Sequence, residues 1–186
     1  MVSLAALWMP ILLSAVATFV ASSLVHMVLK YHDTDFSPAP DEPAARKAIG
    51  ALNLTPGDYC IPRPSSAAEM KDPTYIAKLT EGPRVIMTVL PNGAPGMGPM
   101  LGQWFVFSVV VSLFAAYIAS RTLAAGTPYL TVFRLTGTVA FCGYALGQWP
   151  AAIWYGRSRS ATAKGTFDGL LYALLTAGVF GWCWPQ

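Results

Sequence analysis

Four stretches almost free of charge, Leu4–Leu29, Gly102–Ser120, Tyr129–Tyr155 and Thr166–Trp184, divide the chain. Each reaches or approaches the roughly 20 residues that a helix needs to cross a hydrocarbon core about 30 Å thick. The pattern therefore predicts an all-α membrane protein, a four-transmembrane-helix bundle. Residues 1–29 hold helix 1, residues 30–101 form an extramembrane cap between helices 1 and 2, and residues 102–186 hold helices 2–4. No charge falls between Arg84 and Arg121, and inside the apolar stretches only Arg134 and Asp168 are charged. The first stretch reads as a retained anchor rather than a cleaved signal, because no Lys or Arg precedes it and it is longer than a typical signal core.

The cap is predicted as a small α+β unit. A helix is expected from Asp41 to about Leu52, with Pro43 near its first turn. A second helix is expected from Asp72-Pro73 to Thr80, stopped by Gly82-Pro83. Between and after them, Asp58–Ile61 and Arg84–Leu90 have the composition of strands, the second ended by Pro91-Asn92-Gly93.

Within the apolar stretches, small and hydroxyl residues recur at four-residue spacing. Helix 1 carries Ser14, Thr18, Ser22 and His26; helix 2 carries Ser108, Ser112 and Ala116; helix 4 carries Gly169, Ala173, Ala177 and Gly181. Gly143 and Gly147 place a GxxxG pattern on helix 3. Such stripes share one helical face, and membrane helices associate through close backbone approach at small residues. They predict a tight bundle, packed within one chain or against other subunits. Pro150 is expected to kink helix 3 by removing the hydrogen bond to the Leu146 carbonyl.

Composition agrees with this reading: 54% of residues are hydrophobic and 11% charged, against about 25% charged in soluble domains. Arg157, Arg159 and Lys164, with no acid among them, mark the loop between helices 3 and 4 as cytoplasmic. That choice puts the long loop on the same side and both termini outside. The three cations also suit anionic lipid headgroups. The net charge of +3, spread over both membrane sides, gives no nucleic-acid footprint. Cys60, Cys142 and Cys183 lack paired spacing, so neither a disulfide framework nor a zinc knuckle is expected.

An ionisable residue inside a membrane is a functional candidate by default. His26 ends helix 1 and Asp168 begins helix 4, so both lie at the membrane level beside the long loop, where a His–Asp pair can relay a proton or orient a ligand. Arg134 lies near the opposite surface, separated from Asp168 by roughly 20 Å of helix rise. His32, six residues beyond His26, is placed outside the membrane, where with Asp33 and Asp35 it offers at most a weak metal site. A single intramembrane histidine does not support a bis-histidine haem. No GxSxG, HExxH, Walker or Rossmann motif is present. Neither catalytic residues, nor a metal site, nor a cofactor are predicted.

Gly126–Arg134 (GTPYLTVFR), Phe167–Gly181 and Ser23–Leu29 resemble segments of uncharacterised small polytopic bacterial inner-membrane proteins. The resemblance implies a multi-pass protein of the bacterial inner membrane and carries no activity with it. The expected function is that of an accessory or structural subunit packing against other subunits of a larger membrane complex, of respiratory or photosynthetic type. The runner-up is a small homo-oligomeric transporter or channel with a polar site near His26 and Asp168. Expected partners are the lipid bilayer and other membrane-protein subunits or further copies of the chain.

Overall fold

The computed structural model describes residues 2–186. In chain order its elements are α1 (Trp8–Met27), α2 (Glu42–Ala51), β1 (Gly57–Ile61), α3 (Pro73–Glu81), β2 (Val85–Val89), α4 (Met97–Thr122), α5 (Tyr129–Tyr144), α6 (Trp149–Tyr155) and α7 (Arg159–Trp182). They fall into two compact units. One comprises the chain up to Phe36 together with Gly96–Gln186, and the other comprises Ser37–Pro95.

The smaller unit follows its local sequence signals. Asp41 caps α2 by accepting from the Ala44 amide at 2.9 Å, with Pro43 in the first turn. Asp72 caps α3 by accepting from the Thr74 amide at 2.7 Å, and Gly82, at φ 69°, ends that helix. The capping oxygens answer amides that have no partner within the helix. β1 and β2 pair antiparallel, with Tyr59 opposite Met87.

In the larger unit, three helical stretches are long and apolar enough to cross a membrane: Leu4–Met27, Met97–Thr122 and Tyr129–Tyr155. A fourth long helix, α7, packs against α1 and α5. It is more polar than the other three, with Arg159, Lys164 and Asp168 in its first half.

The interior and exterior of this unit are inverted relative to a soluble protein. Ser14, Ser108, Ser112, Thr136 and Thr176 are completely buried, whereas Phe114 is 61% exposed and Val20 52% exposed. Most of the buried hydroxyls find partners inside the protein, those of Thr18, Tyr31 and Tyr172 excepted. Thr136 and Thr176 donate to the carbonyls of Val132 and Tyr172 one turn back, at 2.8 and 2.9 Å. Ser14 and Ser112 link α1 to α4 at 3.0 Å, and the Trp104 indole donates to Ser22 at 2.8 Å. A surface of large apolar side chains over a core of hydroxyls and small residues suits lipid, where unsatisfied polar groups cost several kcal/mol each.

Small residues let α5 and α7 approach closely. A Cβ added at Gly169 would lie 2.8 Å from the Ala145 Cβ and 3.0 Å from its backbone. One added at Gly181 would lie 2.6 Å from the Tyr129 ring. Ser14, Thr18 and Ser22 on α1, and Ala173 and Ala177 on α7, are likewise buried. The stripes are thus spent on contacts within the chain.

Three expectations need correction. Gly143 packs, with a would-be Cβ 3.0 Å from Val111, but Gly147 has no atom within 4 Å of that position and does not extend the contact. The third apolar stretch is not one helix kinked at Pro150. Its α-helix ends at Tyr144, Leu146–Gln148 form a 3-10 turn, and α6 restarts with Pro150 in its first turn, where the missing amide is not needed. Gln148 holds the break, donating to the Tyr144 carbonyl at 3.0 Å and to the Gly165 carbonyl of α7 at 3.1 Å. Finally, α7 begins at Arg159 rather than near Thr166, because Ser158 caps it by accepting from the Ala161 amide at 3.3 Å.

The Gly169 contact gives a direct prediction. Gly169→Leu drives a side chain into the Ala145 backbone and is expected to cost about 1–3 kcal/mol, seen as a fall of several degrees in the unfolding temperature in detergent. Gly147→Ala is expected to leave that temperature unchanged. Equal shifts for the two variants would contradict the close approach of α5 and α7.

Candidate functional site

After α1 the chain turns back on itself. Lys30 adopts a left-handed conformation at φ 52°, and Tyr31–Thr34 form a 3-10 turn. This reversal carries His32 toward α7 instead of away from the bundle. On α7, Lys164 and Asp168 stand four residues apart and share a face.

Lys164 anchors the turn. Its ammonium donates to the Tyr31 carbonyl at 2.6 Å, the Thr34 hydroxyl at 2.8 Å and Asp35 Oδ1 at 2.9 Å. Asp35 Oδ2 lies 2.6 Å from His32 Nδ1, and His32 Nε2 lies 2.7 Å from Asp168 Oδ2. A continuous chain Lys164–Asp35–His32–Asp168 therefore leaves α7 and returns to it one turn later. His26 stacks on the His32 ring, with centroids 4.4 Å apart, and its Nε2 is 4.0 Å from Asp168 Oδ2.

Burial divides the roles. The Asp168 side chain is 5% exposed and that of His32 17%, whereas His26 is 49% exposed. The hydrogen bond from His32, reinforced by Lys164, holds the Asp35 carboxyl below the usual aspartate range. Ionised carboxylates only accept hydrogen bonds. His32 sits between two carboxylates, its Nδ1 facing Asp35 and its Nε2 facing Asp168.

The cluster forms one end of a cavity of about 700 Å³. Trp104 and Phe107 of α4 and Tyr144 and Tyr172 supply aromatic walls, and Gln148 and Arg157 add polar groups. Phe107, Gly143 and Gly147, all exposed, mark its outward side between α4 and α5. Two buried polar atoms at residues lining this cavity lack a partner: Asp168 Oδ1 and the Tyr172 hydroxyl.

Several expectations change here. His26 and Asp168 do share one level, but the direct partner of Asp168 is His32, which sequence reading placed outside. Asp33 does not join the cluster; His26, His32 and Asp168 are the residues whose ligating atoms converge. Lys164 is not a free headgroup contact, since all its bonds go to the turn. Arg157 faces the cavity, and Arg159 is exposed. Arg134 is exposed, with no acidic partner among the described residues. The i,i+3 spacing of His32 and Asp35 and the i,i+4 spacing of Lys164 and Asp168 were the available signals. Their convergence depends on the reversal at Lys30.

Compared with known protein families, curated proteins and solved structures, the chain matches none. Function therefore has to follow from the geometry of the site.

The anchoring of the turn is open to measurement. Removing the charge-assisted bonds of Lys164 costs about 1.5–3 kcal/mol, so Lys164→Met is expected to raise amide exchange at Asp33 and Asp35 roughly ten- to a hundredfold at neutral pH. In the wild type, the contribution of Asp35 is complete above its unfolded pKa of about 3.9. Because the folded pKa is lower, that contribution is lost as pH falls through the folded value. Protection, corrected for intrinsic rate, should hold from neutrality to about pH 4 and decline only below it. Protection independent of both Lys164 and acid would contradict the anchoring.

Proposed function

We propose that this chain is a multi-pass membrane protein in which α7 joins the three apolar stretches in a four-helix bundle. Its cavity binds an anionic amphiphile drawn from the bilayer. The observation that carries this reading is the make-up of the cavity: aromatic walls beside lipid-suited helices, with Arg157 and the hydrogen-bonded Asp35–His32–Asp168 chain among the residues that line it. Apolar walls accept an acyl or isoprenoid chain, Arg157 offers donors to an anionic head, and His32 with Asp168 can pass a proton to or from that head. Ligand pockets commonly combine such walls with a few convergent polar groups. We further propose a bacterial inner-membrane setting, with Arg157 and Arg159 cytoplasmic and both termini outside.

An accessory subunit needs free surface to hold its partners, and most of the small-residue stripes are already buried in contacts between this chain's own helices. What remains for other subunits is the outer apolar surface of α1 and α4, which lipid serves equally well.

The test uses n-dodecyl phosphate as probe and the fluorescence of Trp104 as a reporter, read against a Trp104→Phe control, with the protein held in a neutral detergent. Saturable binding is expected. Arg157→Gln should weaken it at least tenfold, the worth of one hydrogen bond to a charged group. Gly147→Leu should abolish it without unfolding the protein, because the added side chain fills the cavity where no atom lies within 4 Å of its Cβ. Binding insensitive to both changes would overturn the proposal. Absence of binding, with stoichiometric co-purification of larger membrane subunits, would return the accessory role to first place.

A further inference from the structure

We infer that the cluster at this end of the cavity is a metal centre, in which His26, His32 and Asp168 ligate a divalent first-row transition ion and Asp35 orients His32 from behind. The inference concerns the cluster alone and stands independently of any amphiphile.

Convergence comes first. The ligating atoms of His26, from the last turn of α1, of His32, from the following 3-10 turn, and of Asp168, from α7, all lie within 4.8 Å of one another. An ion with ligand bonds of about 2.1 Å in tetrahedral geometry spaces its ligand atoms about 3.4 Å apart. The observed separations from Asp168 Oδ2, 2.7 Å to His32 and 4.0 Å to His26, bracket that value. Movements of about an ångström make room for the ion, and His26, half exposed at a helix end, is free to make them.

The surroundings are those of a ligand set rather than of a plain ion pair. Metal-bound histidines commonly donate their other ring N–H to a carboxylate, which fixes the tautomer and the plane of the ring. Asp35 stands in that position at 2.6 Å from His32 Nδ1. Asp35 is itself fixed by Lys164 at 2.9 Å. Ligation through His32 Nε2 needs that nitrogen without a proton, with Nδ1–H donated to Asp35.

A second observation is independent of these distances. Asp168 Oδ1 is buried without a hydrogen-bond partner. A carboxylate oxygen left alone in the interior is costly, and an ion beside Asp168 answers it through bidentate or strengthened ligation.

The donor set defines the class of metal. Two imidazole nitrogens and one carboxylate suit zinc, iron(II) or cobalt. They do not suit magnesium or calcium, which prefer all-oxygen shells, nor copper(I), which favours sulfur. Three protein ligands leave at least one coordination position open. That position faces the cavity, as in metal centres that act on a bound molecule rather than those that only brace a fold.

The test reads metal and nothing else. Full-length protein in detergent is stripped with a chelator and titrated with Co²⁺, following the visible ligand-field bands. Zinc and iron in protein isolated directly from native membranes are measured by mass spectrometry to identify the resident ion. One ion per chain is expected. His32→Ala and Asp168→Asn should each weaken Co²⁺ binding at least a hundredfold, and Asp35→Asn, which leaves all three ligands in place, by about 10- to 100-fold. Glu69→Gln, in the other unit, should change nothing. If the Asp168 variant does not fold, His26→Ala decides, because that half-exposed side chain is not needed for packing; it should weaken binding at least tenfold. Failure of the wild type to bind Co²⁺ more tightly than millimolar, or binding unchanged in His32→Ala and His26→Ala, would overturn the inference.

Discussion

Lipid offers no hydrogen bonds, and the larger unit, with three stretches long and apolar enough to cross a membrane, carries the mark of that constraint: most hydroxyls buried among its helices are answered by the protein itself. Serines and threonines there bond to carbonyls one turn back, or to one another across α1 and α4, while many leucine, valine and phenylalanine side chains face out. The same requirement favours small residues at the seams, because close backbone approach supplies the dispersion contacts that a hydrophobic driving force cannot supply in a bilayer. Gly169 against Ala145 and Gly181 against Tyr129 show how close that approach becomes.

Seen this way, Asp168 is the point of greatest tension in the bundle. It is an acid with a 5% exposed side chain on a helix that packs against α1 and α5. The protein answers it from beyond the end of α1, by folding the Tyr31–Thr34 turn back so that His32 reaches one of its oxygens. That answer then needs support of its own, which comes from Asp35 and, behind it, Lys164. The result is a polar assembly at one end of a cavity with aromatic walls, with one Asp168 oxygen still unanswered. A buried polar network left partly satisfied is a natural place to look for chemistry.

Much of this architecture was legible in the sequence, and the exceptions have physical reasons. Helix caps at Asp41 and Asp72, the strand pair and the apolar stretches all follow from local signals, because local hydrogen bonds and side-chain periodicity determine them. The break in the third apolar stretch was misplaced. Pro150 announces a discontinuity, but the helix stops earlier, at Tyr144, where Gln148 answers the Tyr144 carbonyl and ties the break to the Gly165 carbonyl of α7. Gly143 and Gly147 look equivalent in sequence, yet only Gly143 meets a neighbour. His26 and Asp168 were identified through their rarity in apolar helices. His32 and Asp35 were read only as part of a weak metal site outside the membrane and Lys164 as a headgroup cation, because their convergence on Asp168 depends on the left-handed residue Lys30 and on a pairing of segments more than a hundred positions apart, which periodicity does not record.

The central claim is that Asp168 and His32 are energetically joined and that the fold of the turn serves this pairing. A double-mutant cycle on unfolding in detergent, using His32→Ala, Asp168→Asn and the pair, isolates that interaction from the separate costs of each change. Residues in one buried hydrogen-bonded network couple by about 0.5–3 kcal/mol, and a favourable coupling above about 1 kcal/mol is the result expected here. Additive single effects, with coupling indistinguishable from zero, would contradict the account.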